Sequence, residues 1–79
     1  MFNLKFRFNV LRSLGFALGA VNLIPRQHKG FWQFQFNSAG PARQAVGALR
    51  SAGFTASFFF IAGLPFVQVH VPSTIGFAR

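Results

Sequence analysis

A chain of 79 residues holds one small domain with a modest core, and 13 phenylalanines make much of that core aromatic. The absence of cysteine excludes disulfide staples and thiolate metal sites. Eight Lys and Arg face no Asp and no Glu, where a typical domain of this length carries about ten acidic residues, so carboxylate pairs and Asp-supported triads are excluded as well.

The first element in chain order is Asn3–Phe8, which alternates: Leu4, Phe6 and Phe8 fall on one side, Lys5 and Arg7 on the other. That spacing predicts a strand. Asn9 is placed to cap a following helix, over about 10–20, in which Leu11, Leu14, Leu18 and Val21 recur at helical spacing. Gly15 and Gly19 weaken that helix. Val21–Ile24 reads as a short strand and Pro25–Gly30 as a turn. Phe31–Phe36 is the clearest strand, with Trp32, Phe34 and Phe36 on one face and Phe31, Gln33 and Gln35 on the other.

After Asn37 and Ser38 in capping positions, Ala42, Ala45, Val46 and Leu49 form the stripe of a second helix at 39–52. Pro41 suits a helix start, and Gly53 supplies its stop. Phe54–Ile61 is extended again. Ala62-Gly63-Leu64-Pro65 turns the chain, and Phe66–Val71 returns before Pro72. A membrane span through Gly53–Val71 is the rival reading, but Gly63 and Pro65 interrupt it and its period is two. Residues 1–72 then form one α+β domain, with 73–79 a C-terminal tail or edge segment. The order of elements predicts a ferredoxin-like sandwich, two helices on one face of a mainly antiparallel sheet.

Three conditions account for an acid-free chain. A polyanion partner disfavours carboxylates, an anionic membrane does the same, or the written sequence departs from the gene's. The helix at 39–52 speaks for the third. Its first turn lacks the carboxylate that a helix N-terminus favours, and Gly47 sits at its middle. The N-terminus shows no apolar stretch with a small-residue cleavage site, which predicts a cytoplasmic rather than a secreted protein.

His28 and His70 are the only side chains that titrate near neutrality, too few for a metal site. No serine stands in a nucleophile elbow. The chain is therefore expected to bind rather than catalyse, with no cofactor and no metal. In a ferredoxin-like sheet the first and third strands are neighbours, which sets Lys5 and Arg7 beside Phe31, Gln33 and Gln35. Gln68 and His70 extend this face if the last strand joins the sheet, and Arg26, His28 and Lys29 flank it. Basic groups pair with phosphates, an exposed ring stacks on a base, and amides reach base edges. The plain alternative is a solvated sheet face with one incidental ring.

Three resemblances bear on this. Lys29-Gly30-Phe31-Trp32-Gln33-Phe34-Gln35-Phe36 resembles the RNP1 element of RNA-recognition motifs, matching at Lys29, Gly30, Phe31 and Phe36. Ala42, Ala45, Val46 and Leu49 follow as in that family's second helix. Trp32 replaces a small residue there and Gln33 a stacking aromatic. Leu23-Ile24-Pro25-Arg26, the aromatic strand, and a helix ending in Gly53-Phe54 resemble the RraB-like ribonuclease E inhibitor family over about residues 10–74. Val21 stands where that family is usually acidic. Phe36, Ala42, Leu49, Gly53-Phe54 and Phe66-Val67-Gln68-Val69 are similar to a SPOR peptidoglycan-binding domain, with Pro72 in place of its glycine.

The first resemblance implies RNA binding by the sheet face, and the second a regulator that contacts a ribonuclease or another protein. The expectation is a non-enzymatic RNA- or ribonucleoprotein-binding module, with the protein-binding regulator as alternative and a small membrane-associated subunit third.

Overall fold

The structure is a computed structural model that describes residues 4–26 and 29–71, those at 4–7 by their backbone alone. The chain runs α1 (Leu4–Ala17), β1 (Asn22–Arg26), β2 (Phe31–Gln35), α2 (Ala39–Ser51), β3 (Ala56–Ile61) and β4 (Leu64–His70). Two helices pack on one face of a four-stranded sheet of order β1-β2-β4-β3, antiparallel throughout. This is the expected α+β sandwich, reached by a different order of elements.

The difference lies at the N-terminus. Where a strand is expected at 3–8, the described residues 4–8 open α1 instead, and residue 3 lies outside the described residues. Alternation over so few residues is compatible with either period. Phe8, Leu11, Gly15 and Leu18 continue at helical spacing, and helix formation propagates along a face already packed. In the ferredoxin-like plan the place beside the third strand belongs to the first. Here the neighbour of β2 on that side is β4, the last strand.

Both helices end in the same way. Gly19 has φ 112° and Gly53 φ 97°, and each follows the last turn with a paired set of bonds. Ala20 N–H donates to Gly15 O at 3.1 Å and Gly19 N–H to Phe16 O at 3.1 Å; Phe54 N–H donates to Leu49 O at 3.0 Å and Gly53 N–H to Arg50 O at 3.0 Å. These are Schellman caps, which glycine favours because it enters the left-handed region without strain. Gly19 thus stops α1 rather than weakening it. Ser38 holds the N-cap position of α2 with extended backbone (φ −148°, ψ 160°), though its hydroxyl makes no capping bond.

The core lies between helices and sheet. Trp32, Phe34 and Phe36 are buried against Leu11 of α1 and against Ala42, Ala45, Val46 and Leu49 of α2, with Val67, Val69, Val71 and Ala56 beside them. Phe8 stacks on Trp32 at 5.2 Å between ring centroids, and Phe16 meets Phe34 edge-on at 6.2 Å. Gly15 lies flat on the Phe34 ring, where any Cβ would collide with it. Among the described residues, no helix is long and apolar enough to cross a membrane.

The hairpin between β3 and β4 is tighter than the expected four-residue turn. Ala62 (φ 51°) and Gly63 (φ 82°) make the turn alone, opposing Ile61 to Leu64. Positive φ at both central residues is the pattern of a type I′ hairpin. Pro65 follows inside β4, near the end of β2, where its carbonyl accepts the Phe36 N–H at 2.9 Å.

Candidate binding face of the sheet

The helices cover one side of the sheet, so every second residue of each strand faces away from them. Register arranges these residues in rows across the strands. Arg26 opposes Phe31, and Phe31 opposes His70. In the next row Ile24, Gln33, Gln68 and Ser57 follow one another from edge to edge, and then Asn22, Gln35, Phe66 and Phe59. Directly opposed side chains stand about 5 Å apart at Cβ, close enough to act on one ligand together.

The face divides by polarity. Toward the Lys29 end it is polar: Lys29 and His70 are exposed, and Arg26, Phe31, Gln33 and Gln68 are half-buried. Gln33 Nε2 donates to Gln68 Oε1 across the two central strands at 3.5 Å, a long bond that leaves donors and acceptors of both amides free for a ligand. A depression of about 240 Å³ opens there, lined by Lys29, Gly30, Phe31, Thr55, Ser57, Gln68 and His70. Toward the β3–β4 turn the face is apolar. Phe59 stacks with the buried Phe66 at 6.2 Å, and the exposed Ile61 and Leu64 lie beside them.

Phe31, Gln33, Gln35, Gln68 and His70 therefore share one face, with Arg26 and Lys29 at its rim. Two of the expected residues do not: Lys5 and Arg7 belong to α1, not to a sheet strand. The strand positions expected for them, beside Phe31 and Gln33, are occupied by His70 and Gln68. His28 lies outside the described residues. The structure adds Thr55 and Ser57, two hydroxyl-bearing residues that line the depression. Their alternation with Ala56 and Phe58 was visible in the sequence, but only the pairing of β3 with β4 brings them to Gln68 and His70.

The chain has no acidic side chain to neutralise the cations of this face. Among the described residues, no three His, Cys, Asp or Glu side chains gather where they would hold a metal ion. The arrangement can offer an anion two cationic groups, a flat ligand one ring, and a polar edge two amides and two hydroxyls. Comparison with protein-family models, curated proteins and solved structures gives no match.

Proposed function

We propose that the protein is a non-enzymatic module that binds single-stranded RNA on the polar half of its open sheet face. One observation carries this reading: the half-exposed Phe31 ring sits in register between Arg26 and His70, with the Gln33–Gln68 amide pair in the next row. A base stacks on Phe31, the amides meet its edge, and Arg26 and Lys29 take the adjoining phosphates. The absence of carboxylates from the whole chain removes the repulsion that would oppose such a ligand.

Fluorescence anisotropy with a labelled single-stranded oligonucleotide tests the proposal. Affinity is expected to fall steeply as salt rises, and Lys29→Ala is expected to flatten that slope by about one unit. Absence of binding at low salt would defeat the reading and leave a protein partner as the occupant of the face.

A further inference from the structure

Among the described residues β3 is an edge strand, bonded to β4 on one side and to no strand on the other. Natural sheets blunt such edges with charge, proline or bulges. The opposite edge, β1, carries both Pro25 and Arg26. β3 reads Ala-Ser-Phe-Phe-Phe-Ile and carries neither.

The direction of its backbone groups follows from alternation. The Thr55 carbonyl accepts the His70 N–H at 2.9 Å and so faces β4. Ala56, Phe58 and Phe60 then turn their N–H and C=O groups outward. Arg50 agrees with this: its Nε donates to the Ala56 carbonyl at 3.0 Å. Among the described residues, Arg50 covers the first outward carbonyl and nothing covers those of Phe58 and Phe60.

The surroundings of this edge have a definite chemistry. From α2 the Arg43 guanidinium lies over the Phe58 ring at 5.2 Å, and Arg50 stands about two turns further along the helix. Phe60 is 55% exposed and Ile61 40% exposed, on opposite faces of the strand. The edge thus presents backbone hydrogen bonds, apolar surface and cations in one place.

We infer that the β3 edge takes an extended acidic and apolar segment of a partner protein as a fifth strand. The backbone of that segment pairs with Phe58 and Phe60. Its carboxylates, on the helix side, meet Arg43 and Arg50, and its apolar side chains cover Phe59 and Ile61 on the other. A second copy of this chain fits the edge less well. Pairing β3 with its own two-fold mate would bring Arg43 and Arg50 of both copies, each copy carrying a net charge of +8, to one interface without a carboxylate between them.

The test uses a short fluorescent peptide alternating valine and glutamate, with a valine–glutamine peptide as control. The acidic peptide is expected to bind and the neutral one to bind more weakly. Phe60→Pro removes one outward N–H at an exposed edge position, where proline is tolerated, and leaves the charge unchanged. It is expected to weaken the acidic peptide about tenfold, with Trp32 emission confirming an intact fold. Arg43→Gln is expected to narrow the gap between the two peptides. Unchanged binding by folded Phe60→Pro, or no binding of the acidic peptide to the unaltered protein, would overturn the inference. So would a dimer in sedimentation that Phe60→Pro dissolves, since the edge would then belong to a second copy.

Discussion

Phe31 and Trp32 are adjacent in sequence and face opposite ways: Trp32 is buried under the helices, while the Phe31 ring lies half-exposed among polar groups. The alternation of 31–36 made this legible, because one residue per step changes face. Phe31→Ala is expected to leave the thermal midpoint nearly unmoved and to weaken single-strand binding by about 1–3 kcal/mol. Trp32→Ala removes a ring stacked on Phe8 and is expected to destabilise the domain by about 3–5 kcal/mol in a denaturant titration. Ala62 was not legible in this way. Its φ of 51° is the cost of closing a two-residue turn, and nothing in the letters Ala-Gly announces it as asparagine would. Ala62→Asn is expected to raise stability by about 1 kcal/mol, read as a shift of the denaturant midpoint at unchanged slope.

α2 and the strands after it lie within two residues of where periodicity puts them, because long patterned segments bounded by Gly and Ser leave few alternatives. α1 does not. Six residues of alternation at Asn3–Phe8 compete with a helical face extending to Leu18, and packing of that face on Trp32 and Phe34 decides the outcome. The same misreading put Lys5 and Arg7 on the sheet and hid the role of Gly15, a contact position rather than a weak point. Pairing β4 between β2 and β3 involves contacts distant in sequence, which local patterns do not carry. Gly47 gives a prediction for α2. No atom lies within 4 Å of where its Cβ would stand, so Gly47→Ala is expected to stabilise the protein by about 1 kcal/mol through helix propensity alone. Gly40, equally open in the first turn, accepts Glu, which the helix N-terminus favours.

At the scale of the molecule, the fold separates two surfaces. Helices bury one side of the sheet, and the other side grades from cationic and amide-rich at the Lys29 end to apolar at the β3–β4 turn. A net charge of +8 on 79 residues draws any polyanion toward the protein, so affinity alone does not identify a site. Location does. Amide chemical-shift mapping during titration with single-stranded RNA tests the account most directly. Shifts are predicted at Phe31, Gln33, Ser57, Gln68 and His70, with the exposed helix positions Arg12 and Gln44 unmoved. Shifts gathered on α1 or α2, with the sheet rows unchanged, would contradict it.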